Sequence, residues 1–209
     1  MDNSEVLLAN AMVALKEAGI QLEAWSVGGG TVLKNYFNHR ISKDIDVFLT
    51  EPQLLSKLSP RLNNVTENAL DYDEMSNYIS LTYPQGKVDF IVASKVTEFD
   101  PKMDLFFNHW VYLEHPVEIV MKKLFFRGKK VLPRDLFDLA IVFNSNQRNV
   151  LIDAAIKHPI QILEFAESLN AISQNTDYVF YSEENQASLP LKSRKNTVTV
   201  ASTITITEH

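Results

Sequence analysis

The chain has 209 residues, 45% of them hydrophobic and 22% charged, which suits one elaborated domain or two small ones with a core that needs no covalent staple. Without a single cysteine, disulfide scaffolds, zinc ribbons, iron–sulfur clusters and thiol nucleophiles are excluded; no apolar run approaches the roughly 18 residues of a membrane span, and the acidic start MDNSEVLLAN lacks a secretory n-region, so a soluble cytoplasmic protein with no membrane contact is expected. Twenty basic side chains against 26 acidic ones give a net charge of −6, which argues against a surface coated in basic charge and leaves room for a local basic patch.

Val6, Leu7, Ala9, Met12, Val13 and Leu15 recur at helical spacing, and Gly19 suits the C′ position, so the chain opens on a helix. Residues 23–27 read as a short strand entering Gly28-Gly29-Gly30-Thr31, followed by a helix over 32–37 and a strand over 45–49. Pro52 suits the first turn of a helix carrying Leu54, Leu55 and Leu58. The segments 78–83 and 88–92 flank Pro84-Gln85-Gly86-Lys87 and predict a β-hairpin. Strands, helices and a hairpin together predict an α+β domain over residues 1–113. Beyond it, Pro116, Pro133 and Pro159 each begin an apolar-periodic stretch, reaching Leu124, Phe143 and Leu169, so residues 114–172 are expected to form a helical half. From about residue 173 the chain is rich in Ser, Thr, Asn and Glu, and 197–207 alternate hydroxyl and apolar residues in a pattern that suits either a half-buried strand or a frayed tail.

Asp44-Ile45-Asp46 opens the second strand. Residues two apart on a strand share a face, with Cα atoms about 6.5–7 Å apart, so the carboxylates converge. Two such charges oppose each other's ionisation unless a cation lies between them, and hard oxygen donors favour Mg²⁺ or Mn²⁺. A bare Asp-x-Asp is ordinarily solvated charge or a helix cap; the neighbouring features change that reading. Upstream, the glycine run and Thr31, a candidate cap, present backbone amides and a helix N-terminus to an anion, and a Cβ there would hold a polyphosphate away. Downstream, Asp89 sits among apolar neighbours on a strand of the hairpin, where an unpaired charge costs several kcal/mol, so it is a candidate third ligand.

A glycine turn, two carboxylates on one strand and a third on a neighbour resemble the core of polymerase-β-type nucleotidyltransferases. The closer resemblance is to the AbiEii/AbiGii-type nucleotidyltransferases, toxins of type IV toxin–antitoxin pairs. It is carried by Gly29-Gly30-Thr31-Val32-Leu33, by His39-Arg40-Ile41-Ser42-Lys43-Asp44-Ile45-Asp46-Val47-Phe48, and by the 13 residues between Gly30 and Asp44. It continues through Glu118-Ile119-Val120-Met121-Lys122-Lys123-Leu124, Arg127 and Arg134-Asp135-Leu136-Phe137-Asp138-Leu139, covering roughly residues 20–145. Lys123 and Arg127, at i and i+4, share a helix face, and Lys122, Lys123, Arg127, Lys129, Lys130 and Arg134 form a basic stretch without an acid before Arg134.

The resemblance implies a small mixed nucleotidyltransferase sheet with flanking helices, a helical region completing the active site, and transfer of a nucleoside monophosphate from a nucleoside triphosphate with release of pyrophosphate. Asp44, Asp46 and Asp89 would hold metal. Gly29, Gly30 and Thr31 would cradle phosphates, with Ser42 and Arg40 adding contacts. Lys123, with Arg127, would neutralise the leaving group. Asp138 or Asp135 would orient Lys123 or serve as base, although both acids are equally explained as helix-pairing residues beside Arg134. Lys123 itself is expected at an ordinary surface position, its removal costing less than about 1 kcal/mol.

The implied acceptor is RNA, the 3′ end of a tRNA, and the implied partner an antitoxin. A protein hydroxyl as acceptor, and an inactive nucleotide- or partner-binding module of the same fold, are the alternatives. A dinucleotide-binding domain fails because Gly28-x-Gly30-x-x-Leu33 lacks the third glycine. His109, His115 and His158 have no ligand spacing, and Trp25, Phe90, Phe106 and Phe107 are expected in the core.

Overall fold

A computed structural model describes residues 2–127 and 130–173. Lys129 of the basic stretch and the tail from residue 174, including the alternating run 197–207, lie outside the described residues. The helices are α1 (Asn3–Glu17), α2 (Gly29–Phe37), α3 (Pro52–Leu55), α4 (Pro116–Arg127), α5 (Pro133–Phe143), α6 (Arg148–Ile156) and α7 (Pro159–Ser173). The strands are β1 (Trp25–Gly28), β2 (Ile45–Leu49), β3 (Asp71–Glu74), β4 (Tyr78–Tyr83), β5 (Gly86–Val92), β6 (Lys102–Phe106) and β7 (His109–Leu113).

The chain forms two units. Unit 1 comprises Met1–Val32, Ser42–Ser94 and Phe99–His115, and the described part of unit 2 comprises residues 33–41, 95–98 and 116–173. The seven strands among the described residues all belong to unit 1 and form one mixed sheet, ordered β3-β4-β5-β2-β1-β7-β6. β2 runs parallel to β5 and β1 parallel to β7, and the other neighbours pair antiparallel. The expected α+β class, with a small mixed sheet and a helical second half, is what the chain adopts.

Alternation decides which sheet face is buried. Ile45, Val47, Leu49, Ile79, Leu81, Val88 and Phe90 all lie on one face and are almost wholly buried. On the same unit α1 presents Leu7, Leu8 and Leu15, also buried, to β5 and β2. The helix starts earlier than its apolar spacing suggests because the Asp2 side chain accepts from Ser4 N–H at 3.0 Å, an N-cap, and it ends at Gly19, whose φ of +70° suits the C′ position. The opposite face of β2 and β5 carries Asp46, Phe48, Asp89 and Ile91, and this alternation delivers the carboxylates to one side.

Both outer strands carry a device against edge pairing. On β3, Asp71 Oδ1 accepts from Tyr72 N–H at 2.9 Å, and on β6, Asp104 Oδ1 accepts from Leu105 N–H at 2.7 Å. Phe106 and His109 close a two-residue turn, so Leu105 opposite Trp110 is a position whose amide points away from β7. The aspartate thus occupies a donor that another strand would otherwise use.

In unit 2, α4 packs on α5, α6 and α7. Its residues Val117, Ile119, Val120, Met121 and Leu124 are buried around most of its circumference, as a central helix requires. Glu118, also buried, accepts from Val96 N–H at 2.9 Å through Oε1 and from Thr97 N–H at 2.7 Å through Oε2, binding residues 95–98 to α4. No described helix is long and apolar enough to cross a membrane.

Candidate active site

Unit 1 places the glycine turn and the strand carboxylates side by side. β1 ends at Gly28, the cross-strand partner of Asp46, and Asp46 is in turn the partner of Asp89 on β5. Gly29 starts α2 with φ +71°, a conformation that L side chains rarely adopt. A Cβ added there would fall 1.7 Å from Asp46 Oδ2, so the carboxylate of Asp46 lies directly against the first residue of the helix. The partial positive charge of a helix N-terminus favours an anion in that place. At Gly28 an added Cβ would meet Glu114 Oε2 at 2.6 Å and Phe48 Cε2 at 2.7 Å. Both glycines are therefore required by protein carboxylates that occupy the space a side chain would fill, a nearer cause than the approach of a polyphosphate.

Asp44 precedes β2, and its Oδ1 accepts from Lys87 N–H at 3.0 Å, which fixes the start of β2 against the hairpin. α2 begins two residues before Thr31, so Thr31 does not cap it. Its buried hydroxyl instead donates to the Asp44 carbonyl at 2.5 Å and lies 3.0 Å from Ser42 Oγ. Thr31 and Ser42 thus act on the backbone that carries the Asp-x-Asp pair. Asp89 accepts from Ser80 Oγ at 2.5 Å, a short, charge-assisted bond from the adjoining strand β4.

The donor set suits a divalent cation in one respect and limits it in another. Asp46 and Asp89, hard oxygen donors on adjacent strands with side chains on one face, are like charges that a cation between them would reconcile. Among the described residues no group of three His, Cys, Asp or Glu side chains is arranged to hold a metal ion. Mg²⁺ commonly takes only one or two protein carboxylates and completes its shell with phosphate oxygens and water, so a pair is a sufficient protein contribution.

Unit 2 holds a second cluster, built from the residues that follow α2 and from α4 and α5. Asp138, with its side chain wholly buried, receives His39 Nε2 at 2.6 Å, Arg40 Nε at 2.7 Å on Oδ1, Arg40 Nη2 at 2.8 Å on Oδ2, and Lys123 Nζ at 3.0 Å on Oδ2. Asp135, equally buried, pairs with Lys123 Nζ at 3.0 Å and Arg127 Nε at 3.1 Å, and also accepts from Leu132 N–H at 3.0 Å at the start of α5. Burial alone would push the Asp138 carboxyl up; the Lys123 charge and the hydrogen bonds from His39 and Arg40 outweigh it and hold the group well below the usual carboxylate range. Three basic side chains, Arg40, Lys123 and Arg127, thus face two buried carboxylates in this cluster.

A family model described as nucleotidyl transferase AbiEii toxin, type IV toxin–antitoxin system, matches residues 13–193. The chain belongs to this family. Among solved structures, it resembles JHP933 from Helicobacter pylori at 14% identity and TM-score 0.52, over 98% of this chain and 92% of that one. It also resembles a candidate nucleotidyltransferase from H. pylori, at 14% identity and TM-score 0.50, over 95% and 94% of the two chains. At that identity the likeness concerns the fold. A comparison with curated proteins finds no match.

Within the AbiEii framework, the structure groups Gly29, Thr31, Ser42, Asp44, Asp46 and Asp89 in unit 1, with Gly30 as the second residue of α2. Arg40, Lys123, Arg127, Asp135 and Asp138 come together in unit 2. The basic stretch is not one face: buried Lys122 lies 3.7 Å from Glu118, Lys123 and Arg127 face the aspartates, and Lys130 and Arg134 are exposed. Lys123 is corrected from a surface position to a largely buried one, its side chain 12% exposed between two carboxylates. The sequence reading assigned no role to Ser80, Glu114 or His39. For Ser80, the hairpin register was the available signal, since pairing 78–83 with 86–92 sets Ser80 opposite Asp89. Glu114 and Ser26, 88 residues apart and 3.5 Å from each other, carried no such signal.

Proposed function

We propose that this AbiEii-family protein transfers a nucleoside monophosphate from a nucleoside triphosphate to the 3′ end of an RNA, a tRNA in the first instance, releasing pyrophosphate, and that it works in the cytoplasm as the toxin of a pair with a cognate antitoxin. The observation that supports this best is the cross-strand pairing of Asp46 with Asp89 beside a glycine turn against which Asp46 leans. Asp46 and Asp89 would hold Mg²⁺ or Mn²⁺ as a pair, while Asp44, the third expected ligand, ties the start of β2 to the hairpin through Oδ1. The ion, when bound, would neutralise phosphate charge and lower the pKa of the attacking hydroxyl.

In this proposal the chain's own residues supply placement. Gly29 and Gly30 present the amides at the start of α2 to the phosphates. Thr31 and Ser42 brace the backbone of Asp44. Lys123 and Arg127, which pair with Asp135 in unit 2, keep as part of the proposal the role of charge neutralisation that the family resemblance implies. Of the roles open to Asp138, we assign positioning: a carboxyl held so far below neutral pH, accepting from three side chains, is a poor match for a general base. Arg40, which forks Asp138, shares that role and the expected nucleotide contact.

The test is incubation of the purified protein with each labelled nucleoside triphosphate, Mg²⁺ and total RNA, alongside Asp46→Ala. Label is expected in RNA, and at least about 10²–10³-fold less of it with the variant. Label in protein would move the acceptor to a protein hydroxyl. No label anywhere would leave only an inactive binding module of this fold, and equal labelling by Asp46→Ala would remove Asp46 from the catalytic site. For the partner, expression is expected to arrest growth, the arrest being relieved by the product of a neighbouring gene and absent with Asp46→Ala. Unimpaired growth on expression of the wild type would remove the toxin reading.

A further inference from the structure

A polar row crosses the sheet on the face opposite α1: Asp73 on β3, Ser80 on β4, Asp89 on β5, Asp46 on β2 and Gly28 on β1 are successive cross-strand partners. Ser80 stands between two carboxylates, and its single hydroxyl proton can serve only one of them. It goes to Asp89, at 2.5 Å, while Asp73 is served instead by the Tyr78 hydroxyl, also at 2.5 Å. The neighbours of Ser80 along β4, Ile79 and Leu81, are buried on the other face, so the strand fixes the direction from which the hydroxyl approaches. Each acid of the outer row thus has its own donor, and the donor of Asp89 comes from the side away from Asp46.

From this geometry we infer that Ser80 is a positioning residue for the metal site: by donating to Asp89 Oδ1 it locks the rotamer of a carboxylate that would meet the cation shared with Asp46. This rests on the reading of Asp46 and Asp89 as metal ligands. A ligating carboxylate held by an outer hydrogen bond loses less freedom on binding, and loss of such a bond typically weakens metal affinity by 10–100-fold. Ser80 touches neither substrate nor ion, so its effect is on occupancy. The half-saturating Mg²⁺ concentration should rise on its removal, while turnover at saturating Mg²⁺ stays within about threefold.

The decisive measurement is direct binding of Mn²⁺ alone to the full chain, followed by loss of the free-ion electron paramagnetic resonance signal, for wild type, Ser80→Ala, Ser80→Thr, Asp46→Ala and Asp89→Ala, with thermal unfolding of each. Ser80→Ala is expected to bind Mn²⁺ 10–100-fold more weakly. Ser80→Thr, which restores a hydroxyl on a residue suited to strands, should return affinity to within a few fold of wild type. Wild-type affinity in a folded Ser80→Ala overturns the inference, as does failure of a folded Ser80→Thr to recover. Wild-type affinity in Asp46→Ala or Asp89→Ala, or no binding by the wild type, overturns the underlying reading of the metal ligands instead, so the two failures are distinct.

Discussion

Asp138→Ala is expected to destabilise the protein by about 3–5 kcal/mol at neutral pH, the cost typical of removing one partner from a buried ion pair. The loss is large because three basic side chains from two parts of the chain converge on this one carboxylate: His39 and Arg40, after α2, and Lys123, on α4. Without it, Arg40 and Lys123, with side chains 9% and 12% exposed, would each lose a buried carboxylate partner, although Lys123 would keep Asp135. Asp138→Asn keeps the shape and one acceptor but not the charge, and should lose less. A pH dependence accompanies this. The folded-state pKa of Asp138 lies below its unfolded value, so its contribution is complete above pH 4 and fades as pH falls toward the folded value. The gap between wild type and Asp138→Asn should therefore be widest above pH 5 and narrow progressively below pH 4. Denaturant unfolding across pH 3–7 measures both effects, and an Asp138→Ala variant within about 1 kcal/mol of wild type would show that the cluster does not hold unit 2 together.

The Asp138 cluster also marks how far the sequence could be read. The residues were all visible within motifs, but their partnership was not, because His39 and Asp138 are 99 residues apart and both aspartates were equally explicable as local helix pairs. Helix starts were legible wherever proline pre-sets the first turn: α4, α5 and α7 begin at Pro116, Pro133 and Pro159 as expected. By contrast, α6 starts after Gln147, whose side chain makes no cap, and it was missed. The hairpin of β6 and β7 was missed because its turn, Phe107-Asn108, reaches φ of +46° and +63° without the glycine that normally announces such a turn. β3 reads Asp-Tyr-Asp-Glu and is largely exposed, so no hydrophobic alternation exists to detect. The expected core residues Trp25, Phe90 and Phe106 are buried, whereas Phe107 is half-buried in that turn. For the site, the Asp-x-Asp spacing and the glycines were legible, but the reason for the glycines was not. It lies in the contact of Gly29 with Asp46 and of Gly28 with Glu114 and Phe48, which the fold brings together from separate parts of the chain.

Two glycines with nearly the same backbone allow that reason to be tested. Gly19 has φ +70° and Gly29 has φ +71°, so alanine at either position meets the same left-handed penalty, about 1–2 kcal/mol. Their surroundings differ completely: nothing lies within 4 Å of a Cβ at Gly19, while at Gly29 it would lie 1.7 Å from Asp46 Oδ2 and 2.5 Å from its Cγ. Gly19→Ala should therefore lose only the backbone term and keep full nucleotidyl transfer. Gly29→Ala must expel the Asp46 carboxylate from the helix start, breaking its alignment with Asp89, and is expected to lower transfer by about 10²-fold or more, as misplacement of a reacting group by about 1 Å does. Mn²⁺ affinity should fall with it, and a compensating loss of bulk at position 46 should not restore activity, since it removes the ligand. Measuring stability, Mn²⁺ binding and transfer in both variants separates strain from displacement. A stability loss in Gly29→Ala at least as large as that in Gly19→Ala, with transfer lost only in Gly29→Ala, supports the displacement of Asp46, whereas full transfer by Gly29→Ala would mean that Asp46 works from some other position than the one it holds against the helix.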